Sequence, residues 1–393
     1  MKPTRPRPRD RTALRVLDYL FRAGPANRVE LVRATDLSRA TVSKLVGELQ
    51  AQGLVDERPA PVAQEGRAGR PPTLLALNPA IGAVGGIDFD HEAVNVGVAD
   101  LSGALLAELR VELDVDNQAE RAIEVAVECV GTLLRAHRFP ASRLVGVGAA
   151  ISAPVLRDSG SLAAAGIMTS WSTISLRYEL QHRLGVPAHV GNDANLGALA
   201  EVRAGAARGA ANVLYLMLSS GVGGGLVLDG SLFTGHSGMT GELGHVRVDP
   251  EGSRCRCGNR GCLETVAGAQ HLLEQVRPVH GPGTTLEDAA LMARAGDPLC
   301  RSVFRRAGVA AGRVAGGICN LINPELVIVG GDLILAGDVL VDAVREGVAE
   351  SAIDVVRRDV GVVAATLGDH SALLGAVGLA IDEADISGVA LAA

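Results

Sequence analysis

Three cysteines fall within eight residues, Cys255-Arg256-Cys257-Gly258-Asn259-Arg260-Gly261-Cys262, and His245 lies ten positions before the first of them. Three thiolates and one imidazole satisfy a borderline-soft d¹⁰ cation and leave no coordination position for water, so the content predicts a closed structural zinc site. Arg256, Gly258, Asn259, Arg260 and Gly261 make an exposed turn that gives the thiols no apolar core to fill, which favours metal over a disulfide pair. Spacing alone leaves the fourth ligand open, with His245 the candidate. The metal would brace Gly241-Glu242-Leu243-Gly244-His245, whose carboxylate and second imidazole nitrogen are groups that hold sugar hydroxyls. Cys129, Cys300 and Cys319 stand alone in apolar or helical stretches and read as inert core.

A second constellation lies near the start. Ser38 is a natural N-cap for a helix whose Val42, Leu45, Val46 and Leu49 repeat at i, i+3, i+4, i+7. That commitment turns Arg39, Ala40, Thr41, Ser43 and Lys44 outward, where hydroxyls and cations meet phosphates and base edges. Leu14, Leu17, Leu20 and Phe21 predict an earlier helix, and Leu31-Val32 a second one ending at the Asp36-Leu37 turn. Leu54-Val55-Asp56 and Leu74-Leu77 read as strands flanking a polar loop with Arg67 and Arg70 at its tip, placed for a minor groove. Residues 12–78 therefore predict a winged helix-turn-helix that binds a double-stranded DNA operator. Residues 1–11 lack core-forming side chains and read as a disordered basic arm, either touching phosphates or simply solvated.

Charge supports the division. Residues 1–77 hold fourteen Lys/Arg against eight Asp/Glu, a net +6, within a 393-residue chain of net −7. Only the head is suited to a polyanion. The chain exceeds one ordinary domain. It has no apolar run long enough to span a bilayer and no signal-peptide pattern, so the expectation is a soluble cytoplasmic protein without membrane contact.

After Asn78-Pro79 buried strands alternate with amphipathic helices: 83–88, 93–100, 105–113 and 144–150 as strands with a helix over 118–137, then 213–218, 224–228 and 326–329 with a helix from Val339. Two similar α/β halves with a cleft between them follow. Within them stand Gly191-Asn192-Asp193-Ala194-Asn195, Ser220-Gly221-Val222-Gly223-Gly224-Gly225, Glu242-Leu243-Gly244-His245, the cysteine cluster running to Glu264, and Val329-Gly330-Gly331. In type and order these motifs resemble the ROK family of sugar kinases and sugar-responsive repressors, and with the winged head its NagC/XylR-type repressor branch. The resemblance covers roughly residues 80–385. It implies an α/β, two-lobed actin-like domain over 80–393: one lobe over about 80–200 plus a C-terminal helix at about 371–385, the other over about 201–370 with a zinc loop at 245–264. It further implies a sugar at the lobe interface on Asn192, Asp193, Glu242, His245 and Glu264; zinc on His245, Cys255, Cys257 and Cys262; and a homodimer or homotetramer. In the family's kinases the residue matching Asp193 is the general base; the bland reading is a cap for a helix from Ala194.

Two departures bear on activity. Family kinases carry an Asp-x-Gly-x-Thr phosphate loop, whereas this chain has Asp88-Phe89-Asp90-His91-Glu92, whose bulky and acidic side chains obstruct and repel phosphate. Ala163-Ala164-Ala165-Gly166-Ile167-Met168-Thr169-Ser170-Trp171 also lacks the amide that relatives place before the matching Trp. The resulting expectation is a non-enzymatic, sugar-responsive transcriptional regulator, most simply a repressor, with Asp193 a vestigial base. The alternatives are an ATP-dependent sugar kinase with a regulatory DNA-binding head, and a DNA-bound scaffold with no effector.

Overall fold

The computed structural model describes residues 8–59, 73–163 and 168–392. Helices α1 (Pro8–Ala23), α2 (Arg28–Thr35) and α3 (Arg39–Ala51) precede an antiparallel pair, β1 (Val55–Pro59) and β2 (Thr73–Leu77). Local chemistry sets these boundaries. Asn27 and Glu30 form a reciprocal capping box at α2, Asp36 takes a left-handed turn at φ 55°, and the Ser38 hydroxyl accepts the Thr41 amide at 3.1 Å to open α3. One expectation is corrected: α1 starts at Pro8, so residues 8–11 belong to a helix and not to the arm. Proline suits a helix start, where its missing N–H has no intrahelical partner. Residues 1–7 and the loop carrying Arg67 and Arg70 lie outside the described residues.

The first lobe contains β3 (Ala83–Phe89), β4 (Ala93–Asp100), β5 (Leu105–Glu112), α4 (Ala119–Ala136), β6 (Leu144–Ile151), α5 (Leu176–Leu184) and β7 (Ala188–Asn192), in the sheet order β5-β4-β3-β6-β7. After α6 (Asp193–Ala204) the second lobe brings β8 (Val213–Leu218), β9 (Val222–Leu228), β10 (Ser231–Phe233), α7 (Glu264–Ala267), α8 (Ala269–His280), α9 (Leu286–Ala295), α10 (Pro298–Ile322), β11 (Leu326–Gly330), α11 (Asp338–Ser351), α12 (Asp354–Asp359) and β12 (Gly361–Ala364). Its order, β10-β9-β8-β11-β12, repeats the first sheet's plan of an antiparallel meander followed by parallel strands. The chain ends with α13 (Ser371–Asp382) and α14 (Ser387–Ala392).

Two helices join the lobes. α13 lies on β3 and β6, where a Cβ on Gly148 would collide with the Ala376 carbonyl. α6, expected within the first lobe, instead sets Ala194 and Ala198 against Gly223 and Gly225 of the second sheet. The helices meet where a Cβ on Gly375 would strike the Leu196 carbonyl. Such backbone approach leaves room for neither side chains nor water.

The expected boundary at residues 78–80 separates no cores. Val16, Leu17, Leu20, Val42 and Val46 of the head bury with Ile81, Val84, Leu101 and Val145 of the first lobe and with Val377, Ala380, Ile386 and Val389 from the C-terminal helices. α14, which lies past the last helix expected from the sequence, completes this core. Among the described residues no helix is long and apolar enough to cross a membrane.

Candidate ligand cleft, metal loop and DNA-facing helix

The metal loop begins at His245, which ends a short 3-10 turn. Bridges pairing Arg247 with Cys262 and Arg254 with Arg260 fold the cysteines back on it. Gly261, at φ 70°, is obligatory, since a Cβ there would overlap the Asp249 carbonyl. His245 Nδ1 lies 3.6 Å from Cys255 Sγ, Cys257 Sγ lies 3.7 Å from Cys262 Sγ, and all four donor atoms are within 4.8 Å of one another. Zinc–sulfur bonds of about 2.3 Å at tetrahedral angles require edges of about 3.8 Å, so the donors fit such an ion. Charge argues the same way. Burial, with the neighbouring thiols, pushes Cys262 up to about 12, and a cation is what lets three thiolates share this space. With Nδ1 turned to the cysteines, Nε2 of His245 faces Glu242 Oε2 at 3.8 Å.

Asp193 and Asn192 sit where β7 runs into α6. The helix starts at Asp193, and its cap is Asn192, whose side-chain oxygen accepts the Asn195 amide at 3.2 Å. Asp193 Oδ1 accepts from Ala194 N–H at 2.7 Å and from Asn192 Nδ2 at 2.8 Å. Burial raises the Asp193 carboxyl above its ordinary range and does the same to Glu242, which feels the charges of His245, Asp193, Glu264 and Arg256. Asn192 bonds Asp193, and Glu242 lies within electrostatic reach of Asp193, His245 and Glu264. Glu264 departs from expectation: it is 7% exposed, and Arg256 holds its carboxylate through two nitrogens at 2.9 Å each. The Val222 amide donates to it as well, at 3.4 Å.

The segment Asp88–Glu92 comprises the last two residues of β3 and the turn into β4. Its bulky member does not obstruct the cleft, because Phe89 turns into the core, edge-on to Trp171 at 5.2 Å. The acidic members remain. Burial pushes Asp88 up to about 7 despite a 2.9 Å hydrogen bond donated by Asn95, and Asp90 and Asp193 add repulsion. Asp332, after β11, is also raised by burial and accepts from the Ser219 hydroxyl. Of the Ala163–Trp171 stretch, residues 164–167 lie outside the described residues; the Trp171 indole donates to the Val115 carbonyl at 2.8 Å.

On α3 the division of faces is as expected. Val42, Leu45, Val46 and Leu49 are buried, whereas Ser38, Arg39, Ala40, Thr41, Ser43 and Lys44 are exposed. Sequence reasoning missed two features. One is Arg256, a residue between two ligands whose inward direction is set only once the knuckle closes. The other is Asp382, whose carboxylate pairs with Arg203 of α6 while its carbonyl accepts from Arg22 of α1 at 2.5 Å.

Residues 84–383 match the ROK family, and residues 9–64 match the MarR family. The chain is similar to the xylose repressor of Caldicellulosiruptor bescii, at 25% identity over 91% of this chain and 92% of that protein. It is 32% identical to a glucokinase of Thermotoga maritima over 75% of this chain and 96% of that enzyme. A crystal structure of a ROK family transcriptional regulator, described as a homologue of the Escherichia coli Mlc protein, superposes with a TM-score of 0.78 at 26% identity, covering 98% of each chain. The repressor and the regulator cover more of this chain than the glucokinase does. The chain belongs to the ROK family.

Proposed function

We propose that this protein is a DNA-binding transcriptional regulator, acting as a repressor, whose operator affinity is controlled by a sugar or sugar derivative held in the cleft. The observation that carries this reading is the shared core of head and body. α13 packs against α6, which Asp193 opens, and ends at Asp382; the carbonyls of Asp382 and of Ala384 just beyond accept from Arg22 of the head at 2.5 and 2.8 Å. A ligand that favours one lobe arrangement therefore acts on the head through packed helices, not through a linker. A coupling of about 1–3 kcal/mol changes operator affinity roughly 5–150-fold.

In this reading Asn192, Asp193, Glu242 and His245 take the sugar hydroxyls and Glu264 contributes once Arg256 gives way. Ser38, Arg39, Ala40, Thr41, Ser43 and Lys44 meet the operator, with Arg67 and Arg70 in the minor groove. Zinc on His245, Cys255, Cys257 and Cys262 is a structural brace. The protein works as a homodimer or homotetramer. Supporting assembly, a groove of about 1220 Å³ beside the metal loop carries Arg305, Arg306 and Arg313 with Glu346 and Glu350, and Leu321 at its edge is 83% exposed. Arg305 pairs with Glu346 and Arg313 with Glu350 along this groove, and a two-fold contact would lay the same patch against itself.

The test is to select genomic fragments with the purified protein and titrate them by fluorescence anisotropy with and without a panel of sugars. Sequence-selective binding that shifts at least 5-fold with one sugar is expected. Binding to no duplex, or binding indifferent to every sugar, overturns the reading. One observation favours a second reading, an ATP-dependent sugar kinase with a regulatory head: Asp193 stands half-buried at the N-terminus of α6. ADP release with any sugar of the panel would establish it; the acids Asp88, Asp193 and Asp332, which would repel phosphate when ionised, argue against its binding.

A further inference from the structure

A second group of ligand-type side chains lies in the helical layer of the second lobe, outside the cleft and the cysteine loop. His280 is the last residue of α8, Asp297 caps α10, and Cys300 sits in the first turn of α10. These positions are brought together because α8, the 281–285 loop and α9 make an excursion that returns the chain to its starting point. One donor atom from each residue lies within 4.8 Å of the other two, and His280 Nε2 is 3.4 Å from Asp297 Oδ1.

The local hydrogen bonding leaves this trio unfinished. Asp297 Oδ1 is already committed to the Cys300 amide at 2.8 Å, the normal capping bond. His280 Nε2 is buried and makes no hydrogen bond, even with that carboxylate beside it. Cys300 is fully buried, in a place where a plain apolar residue would fill space equally well. A buried ring nitrogen without a partner is destabilising, and a cation accepting its lone pair removes that cost. The helix ends agree in sign. The C-terminal carbonyls of α8 favour a positive ion, and the N-terminus of α10 favours the carboxylate and thiolate that would bind it.

We propose that His280, Asp297 and Cys300 form a second cation site, which takes a borderline transition-metal ion of the Zn²⁺ or Co²⁺ class and leaves the fourth position to water. One nitrogen, one oxygen and one sulfur donor suit such an ion better than Mg²⁺ or Ca²⁺, which take oxygen ligands almost exclusively. Three protein ligands with an open position distinguish this site from the closed loop at His245. Bound there, the ion ties the end of α8 to the start of α10 and fixes the α9 excursion.

The experiment uses the full chain as purified. The protein is equilibrated with excess Zn²⁺, desalted, and its metal content per chain is measured by mass spectrometry. Two equivalents are expected for the wild type, and one each for His280→Ala, Cys300→Ala and, through the other site, Cys257→Ser. Co²⁺ added to protein carrying zinc only in the cysteine loop should produce a thiolate charge-transfer band that Cys300→Ala abolishes. His280→Gln, with a melting curve alongside, separates loss of the ion from loss of the fold. One equivalent in the zinc-saturated wild type, or a count and cobalt band unchanged by substitution at 280 and 300, overturns the proposal.

Discussion

The guanidinium of Arg256 grips Glu264 through Nε and a terminal nitrogen, each 2.9 Å from a separate carboxylate oxygen. This pair decides how much of the cleft's acidity a ligand meets. Arg256→Ala leaves Glu264 buried with only the Val222 amide and the Cys255 thiol as donors. The expected result is a loss of about 1–3 kcal/mol in urea unfolding, together with a changed order of preference in the sugar panel. An unchanged midpoint and an unchanged order would show that the pair is ornamental.

Removing the cation that joins head to body should uncouple sensing from reading. Arg22→Ala deletes both hydrogen bonds to the α13 terminus and leaves α3 intact. Operator affinity without sugar should stay within about 3-fold of wild type, while the sugar-induced shift shrinks toward 1. An anisotropy titration with and without the effector measures both; a full-sized shift in the variant contradicts the coupling route.

Lys44 is exposed on α3, nearly two turns beyond the Ser38 cap. If it meets a phosphate, Lys44→Ala weakens all duplexes alike and lowers the slope of log K against log salt by about 1. A sequence-dependent loss with the slope preserved would assign it to a base edge instead.

Asp88 supplies a pH prediction whose sign follows from linkage. Its folded pKa is raised to about 7, above the ordinary 3.8, so between these values the folded state holds more protons than the unfolded one. Stability contributed by the protonated form is present below about pH 4 and falls as pH rises toward 7, by at most about 1.4 kcal/mol per unit. Asp88→Asn keeps a partner for Asn95 without the charge. Its thermal midpoint should exceed that of wild type at pH 8 and converge with it at pH 4. Equal differences at both values would rule out buried charge as the cause.

The metal loop has a simple reversal. Cys257→Ser, or prolonged chelation, should remove zinc and lower the melting midpoint, because the loop from 245 to 262 has no other crosslink. Retention of both zinc and midpoint would reject the four-residue ligand set.

Features set by neighbours in the chain were readable without coordinates. The Ser38 cap, the buried stripe of α3 and the crowded thiols depend on residues a few positions apart, where spacing translates directly into geometry. Features set by distant packing were not. That α6 rests on the second sheet depends on Gly223 and Gly225 facing Ala194 and Ala198, a match between small residues that no local pattern announces. Phe89 read as an obstacle in a loop, yet strand alternation turns it under Trp171. Cys300 read as filler because its partners, His280 and Asp297, come from another helix end and a cap. α14 was overlooked because six small residues gain helical structure mainly by packing against the head.

The core that the head holds in common with the first lobe and α14 has a mechanical consequence. The reader packs directly on the first lobe, so a tilt of that lobe would carry α3 with it. In a symmetric pair, two such readers would be locked at a pitch dictated by the bodies alone, and the DNA would have to supply whatever compliance a mismatched operator spacing demands.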